Sequence, residues 1–200
     1  FLELEFETCF SRFLMPTVRG SDSGSKKRYA GLVVSEPGEG ETREKLIFKG
    51  LENVRTDWTE LAREFQSALY DLVFHDQDPV AFVRQTVEET RNGNRDDQLI
   101  YRKQLRRPLV QYVKNVPPHV RAARLADEKN RRLGRPETYQ HKGWIRYAIT
   151  LNGPEPAEYL ESPLDYDHYI EKQIKPVADG ILPFIDLDFD TITSAQAQIF

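Results

Sequence analysis

Lys45-Leu46-Ile47-Phe48-Lys49-Gly50-Leu51-Glu52-Asn53-Val54-Arg55-Thr56-Asp57-Trp58 is the stretch in which this 200-residue chain changes its hydrophobic period. Upstream the pattern is that of strands. Leu2, Leu4 and Phe6 alternate with Glu3, Glu5 and Glu7, as in a strand with one buried face. Phe10 to Met15 is a second strand candidate, ended by Pro16, and Gly20 to Ser25 is a polar turn. Tyr29 to Val34 reads as a third strand, Pro37 to Gly40 as a turn, and Lys45 to Phe48 as a returning fourth strand. Downstream, Trp58, Leu61, Phe65, Leu69, Leu72 and Val73 recur at helical spacing. Thr56 or Asp57 is positioned to cap that helix, and Glu60, three residues after Asp57, completes a capping-box pattern.

The remainder is mainly helical in pattern. Pro79 opens a second helix that closes near Gly93. Leu99 to Leu105 reads as extended or irregular. Pro117-Pro118 opens a third helix, His119 to Leu133, stopped by Gly134 and Pro136. Trp144 to Leu151 alternates as a strand, broken by Gly153-Pro154 and Pro156. Tyr166 to Ile185 reads as one long helix kinked at Pro176. The fold class is therefore α+β: a small antiparallel sheet fragment, residues 1–55, then a mostly α-helical domain, residues 56–185, and a weakly patterned tail, residues 186–200.

Composition supports a globular chain, 39% hydrophobic and 11% aromatic. No run approaches the ~18 apolar residues of a membrane span, and no signal peptide opens the chain. Cys9 is the single cysteine, which excludes an internal disulfide and a cysteine-based zinc site. Its neighbours Phe6, Phe10 and Phe13 imply a buried thiol, and the compartment is read as reducing and cytoplasmic. Phe1 stands where a native start would carry Met, so the sequence reads as a fragment. Formal net charge is −4, but residues 91–146 hold 15 Lys/Arg against 5 Asp/Glu between two acidic ends. That distribution fits one cationic face.

Three basic segments carry the chemistry. In Ser25-Lys26-Lys27-Arg28-Tyr29-Ala30, Lys27 and Tyr29 share a face if a strand begins there, and a cation beside a phenol suits a sugar-phosphate backbone. The same tetrad also fits a solvated edge strand. In the second segment, Lys49 and Gly50 offer a cation and a close backbone approach. Arg55 can present two donors to a phosphate, and Asp57 can orient it or cap the helix; an ordinary strand-to-helix turn fits equally. The third runs from Tyr101 through Arg106 and Arg107 to Lys114, Asn115 and His119. There Lys114, Asn115 and a helix N-terminus form a candidate phosphate seat, or simply a charged, solvated face. Asp186, Asp188 and Asp190 lack the glycine and distal glutamate of a calcium loop. No Ser/His/Asp, Cys/His or paired-His spacing stands out among His75, His119, His141 and His168, which leaves no catalytic constellation.

In this order and spacing the segments resemble family B DNA polymerases, specifically the end of the palm and the thumb of their bacterial members. Lys26-Lys27-Arg28-Tyr29 is similar to the family's KK(K/R)Y segment. Lys49 to Trp58 is similar to its KG-x-E-x-x-R-x-D-W segment, departing at Thr56, where a second Arg often sits. The basic stretch ending Pro118-His119-Val120 and the later Ser162 to Val177 resemble the thumb. The resemblance implies a palm part at 1–55 and a thumb at 56–185. It implies primer–template duplex held by Lys26, Lys27, Tyr29, Lys49, Gly50, Arg55, Asp57, Arg106, Arg107, Lys114, Asn115 and His119. Glu3, Glu5 and Glu7 would run beside the family's catalytic carboxylates without being the principal metal ligands. Gln196-Ala197-Gln198-Ile199-Phe200 resembles the peptide by which such polymerases dock on the bacterial sliding clamp, with Ile199 and Phe200 as apolar anchors and Gln196 at the rim. The family's Ser-Leu-Tyr-Pro-Ser and Asp-Thr-Asp motifs, which hold its metal ions, are absent from this sequence. The resemblance therefore implies a piece inactive alone, with no cofactor of its own, from a parent that uses Mg. The alternative is a module that binds a protein partner without touching DNA.

Overall fold

The computed structural model describes residues 8–17, 27–34 and 44–194. The chain is α+β, with two antiparallel three-stranded sheets joined and covered by helices. The first sheet has the order β1 (Arg12–Leu14), β2 (Tyr29–Val34), β3 (Glu44–Lys49), with β2 central. The expected strand over Leu2 to Glu7 and the turns at Gly20 to Ser25 and Pro37 to Gly40 lie outside the described residues. Alternation gives the sheet two unlike faces. Leu14, Ala30, Leu32, Leu46 and Phe48 turn toward the helices and join the core. Phe13, Gly31 and Ile47 are in register on the other face, where Phe10 and Phe13 pack against Tyr29 at ring separations of 6.0 and 5.2 Å. Phe10 lies over Gly31, where a Cβ would meet the ring at 2.2 Å. Cys9 is exposed, not buried as its neighbours implied. The aromatics around it turn toward Tyr29, and the regular strand begins only at Arg12.

The chain turns from β3 through Gly50 and a short 3-10 segment, Glu52–Val54, into α1 (Glu60–Phe74). Gly50 has φ +64°, and a Cβ there would lie 2.2 Å from the Lys27 carbonyl oxygen. Glycine is therefore required twice over, for the left-handed backbone and for the close approach. The cap of α1 is Thr59, whose Oγ1 accepts from the Ala62 N–H at 3.3 Å. Neither Thr56 nor Asp57 caps the helix, because the Asp57 carboxylate is engaged by Arg55 and Lys103 and both residues lie in a turn that ends before the extended Thr59.

α1 is the central helix. Leu61, Ala62, Phe65, Gln66, Leu69, Tyr70 and Phe74 are all buried, a face wider than one stripe. It meets the first sheet through Phe48 and Tyr70, rings 5.7 Å apart, and α2 (Val80–Arg91) through stacked Phe65 and Phe82 at 5.4 Å. On its far side lies the stretch read from sequence as one long helix. It is instead a relay: α4 (Tyr166–Tyr169), a π-helical turn over Ile170–Ile174, α5 (Lys175–Ala178), a 3-10 turn over Leu182–Ile185 and α6 (Phe189–Thr193). Pro176 falls in the first turn of α5, where a missing N–H is tolerated. Gln173 of the π turn is buried and accepts from both the N–H and the hydroxyl of Thr59, at 3.1 and 3.0 Å. Asp188 caps α6 through the Thr191 N–H, and Asp190 pairs with Lys175, so two of the three tail aspartates have structural partners.

Within the mostly helical residues 56–185 lies a second sheet, of which the sequence pattern shows only the strand at Trp144 to Leu151 and an extended or irregular Leu99 to Leu105. It has the order β4 (Tyr101–Leu105), β5 (Gly143–Thr150), β6 (Gly153–Pro156), with α3 (Pro118–Arg132) packed against it. Residues 101–105 are a regular strand. Gly153 to Pro156, read as a break, forms an edge strand, a place where proline's missing donor is harmless. Tyr101, Leu105, Ile145 and Tyr147 turn inward, and Tyr101 stacks between Tyr147 and Tyr169 at 5.2 and 5.7 Å. Replacing Gly50 with Ala is expected to lower the unfolding free energy by about 2 kcal/mol or more, since the left-handed conformation alone costs ~1–2 kcal/mol. Urea unfolding of G50A checks this, and an unchanged midpoint would contradict it.

Candidate nucleic-acid interface

The first two basic segments are neighbours in space. β2 and β3 pair so that Tyr29 lies directly opposite Lys49, on the face of the first sheet that carries Phe10 and Phe13. Below that pair, Gly50 presses against the Lys27 carbonyl. Lys27 is exposed and Tyr29 half-buried. Lys26 lies outside the described residues, as do Gln196, Ile199 and Phe200. Arg28 alternates away from Lys27 and Tyr29 and forms an ion pair with Glu52. Glu52, buried in the turn, also accepts from the Gln66 amide at 2.7 Å, while the Asn53 N–H donates to the other end of that amide at 2.8 Å. One buried carboxylate thus joins β2, the turn and α1. A cavity of about 300 Å³ opens beside it, walled by Arg28, Arg55, Tyr70 and Lys175.

Arg55 does not present a free fork. Its Nε and Nη2 donate to the two Asp57 oxygens at 3.0 and 2.9 Å. Asp57 also accepts from Lys103 of β4 at 3.1 Å, and these cations, Arg55 foremost, hold its carboxyl down at about 2. The triad Arg55–Asp57–Lys103 ties the strand-to-helix turn to the second sheet. The remaining Arg55 and Lys103 donors face outward with a net positive charge. Lys103 stood in the sequence only as part of a basic stretch; in β4 it shares a face with buried Tyr101 and Leu105, and its ammonium reaches Asp57 from that face.

The third basic segment is a loop between β4 and α3, and its exposed residues include Arg106, Arg107, Lys114 and Asn115. Buried Tyr112 organises it. The Tyr112 hydroxyl accepts from the Arg106 N–H at 3.3 Å, its ring carries the Arg107 guanidinium at 4.4 Å, and the His119 ring meets it edge-on at 6.4 Å. Arg124 of α3, absent from the sequence reading, anchors the loop by donating to the carbonyls of Leu109 and Tyr112 at 3.1 and 2.7 Å. Asn115 has φ +48°, a left-handed turn that asparagine tolerates well. The N-terminus of α3 offers fewer donors than the sequence implied. Pro118 has no N–H, and those of Val120 and Arg121 both go to the Pro117 carbonyl at 3.0 and 3.1 Å. Burial, with Lys103 nearby, pushes the His119 pKa below its usual range, so at neutral pH the ring is uncharged.

The first and second segments are thus linked through the Tyr29–Lys49 pairing, and the second and third through Asp57 and Lys103. Among the described residues no three His, Cys, Asp or Glu side chains are grouped to hold a metal ion, and no helix is long and apolar enough to cross a membrane. Cations beside flat rings have the side-chain chemistry that can meet a phosphate backbone.

The model of DNA polymerase family B matches residues 1–184, and the chain belongs to that family. It is 56% identical to DNA polymerase II of Escherichia coli K12 over 199 residues, all of this chain and a quarter of that protein. It is 31% identical to DNA polymerase 2 of Aeropyrum pernix over 80% of the chain, and to DNA polymerase of Thermococcus kodakarensis over 90%. In those two proteins it covers 19% and 10% of the length.

The Asp57 carboxyl sets a pH signature. Its folded pKa lies below the unfolded value near 4, so its contribution is fully present above that value and disappears as pH falls toward about 2. The stability difference between the protein and D57N is expected to be constant from neutral pH to about 5, then to shrink below about 4. Chemical denaturation at a series of pH values checks this; a difference that grows on acidification would contradict it.

Proposed function

We propose that this chain is the duplex-gripping part of a DNA-directed DNA polymerase of the repair and translesion type. Residues 1–55 form the edge of its palm and residues 56–185 its thumb. The observation that supports it most is the linkage of the three basic segments, the first to the second by the Tyr29–Lys49 pairing and the second to the third by the Asp57–Lys103 ion pair, in a chain that belongs to family B. Lys26, Lys27, Tyr29, Lys49 and Gly50 follow the primer backbone. Arg55 and Asp57 steady the turn, and Arg106, Arg107, Lys114, Asn115 and His119 reach the minor groove. Neutral His119 suits that task, because it donates one hydrogen bond and accepts another without adding charge.

The described carboxylates do not fit a catalytic magnesium site, since no three of them are grouped. In this reading the Mg expected of the parent enzyme is held by the family's Ser-Leu-Tyr-Pro-Ser and Asp-Thr-Asp motifs, which this sequence lacks. What these residues do is position the duplex, through phosphate contacts that carry no sequence information. The peptide Gln196-Ala197-Gln198-Ile199-Phe200 serves as a tether, with Ile199 and Phe200 filling an apolar pocket on the bacterial sliding clamp and Gln196 bonding at its rim. The setting is the cytoplasm, at the nucleoid.

Duplex affinity of the full-length protein should fall steeply with salt, by about 0.9 in log–log slope per phosphate contact. In the variant carrying Arg106→Ala and Arg107→Ala the slope should be shallower by about 1.8, two contacts' worth. Fluorescence anisotropy over a salt series measures both, and an affinity indifferent to salt overturns the reading. Deleting Ile199 and Phe200 should abolish clamp binding in surface plasmon resonance while duplex affinity stays unchanged. Undiminished clamp binding would remove the tether from the account.

A further inference from the structure

The two faces of β4 have different chemistry. Lys103 turns to Asp57, whereas Arg102 and Gln104 turn to the opposite face, opposite Arg146 and Trp144 of β5. Arg102 and Arg146 stand directly across an antiparallel pair, a like-charge arrangement that destabilises a sheet unless something neutralises it. Arg63 of α1 lines the same groove, and its buried Nε has no hydrogen-bond partner. Glu60 and Asp97 are also at the wall, but among the described residues neither forms an ion pair with any of the three arginines. The cavity between them measures about 200 Å³. Arg146 leads into an adjoining hollow of about 390 Å³ walled by Trp144 and Tyr139. Arg102 lies over one face of the Trp144 ring at 4.3 Å, and the residue remains 44% exposed.

We propose that this groove binds single-stranded nucleic acid: phosphates at Arg63, Arg102 and Arg146, and an unpaired base stacked on Trp144. Charge complementarity selects a polyanion. The exposed indole selects an unpaired strand, because bases within a duplex are already stacked on both faces and have no free surface to offer. An acidic protein segment would satisfy the arginines but leave the indole unused. The groove borders the turn of the proposed duplex grip, since Thr56 and Trp58 also line it, but Arg63, Arg102 and Arg146 take no part in that grip, and Arg102 stands on the face of β4 opposite to Lys103. The two therefore fail separately.

The test is photo-crosslinking of a twelve-nucleotide oligothymidine to the full-length protein, followed by peptide mapping, with and without excess blunt duplex. The expected result is a crosslinked peptide containing Trp144 that duplex does not displace. Its yield should drop about tenfold or more in the variant carrying Arg102→Gln and Arg146→Gln, exposed positions at which the fold survives. Trp144→Phe, which keeps a stacking surface, should retain most of the binding when anisotropy is read. Salt dependence in the double variant should be shallower by about 1.4, at ~0.7 per single-strand contact. Absence of a Trp144 crosslink overturns the proposal, as does displacement by duplex. Displacement by a polyglutamate peptide with no response to the arginine substitutions assigns the groove to a protein instead and also overturns it. Duplex affinity of the double variant, measured alongside, should stay within about twofold; its loss would count against a separate site.

Discussion

The carboxylate of Glu52 is the constraint on which the rest depends. It is buried at the point where β3 turns toward α1, accepting from Arg28 on β2 and from Gln66 on α1. A charge in that position costs several kcal/mol to desolvate and is tolerated only because it is paired and hydrogen-bonded. Removing either partner would leave the other buried and unmatched. The turn is therefore held in one conformation, with Gly50 against the Lys27 carbonyl and Tyr29 opposite Lys49. Everything downstream inherits that geometry, because Arg55 and Asp57 leave the turn already aimed at Lys103 of the second sheet.

Division of labour within the basic segments follows from this. In Lys27-Arg28-Tyr29 the arginine is paired with buried Glu52 and structural, while Lys27 is exposed. In the turn, Glu52 braces and Asp57 bridges, so the acidic residues of a nominally nucleic-acid-facing segment hold cations in place without opposing the partner. The loop before α3 repeats the pattern with Tyr112 and Arg124 as braces and Arg106, Arg107 and Lys114 as exposed charge. A cation fixed by a buried neighbour loses less side-chain entropy on meeting a phosphate than a free one does.

Local patterning carried much of this into the sequence. Alternation located β2 and β3, helical spacing located α1, α2 and α3, and the basic-aromatic segments were visible as such. What stayed hidden was set by distant partners. The cap of α1 went to Thr59 because Asp57 is claimed by a lysine 46 residues away. Residues 101–105 became a strand because β5 offers it a ladder, which no local signal announces. Gly153 to Pro156 became an edge strand where the prolines had suggested a break. The apparent long helix from Tyr166 broke into a relay in which Gln173 caps the distant N-terminus of α1. Cys9 is exposed because the ring cluster formed around Tyr29 and not around the thiol.

The central claim is the proposal that the three linked basic segments, braced at the turn by Glu52, together receive duplex DNA. Hydrogen–deuterium exchange of the full-length protein with and without primer–template duplex tests it most directly. The account predicts slowed exchange together at residues 27–31, 49–57 and 103–120. It predicts loss of that joint protection in E52A, a residue that faces the interior and not the duplex. Protection confined to one of the three segments, or unchanged by E52A, would contradict it.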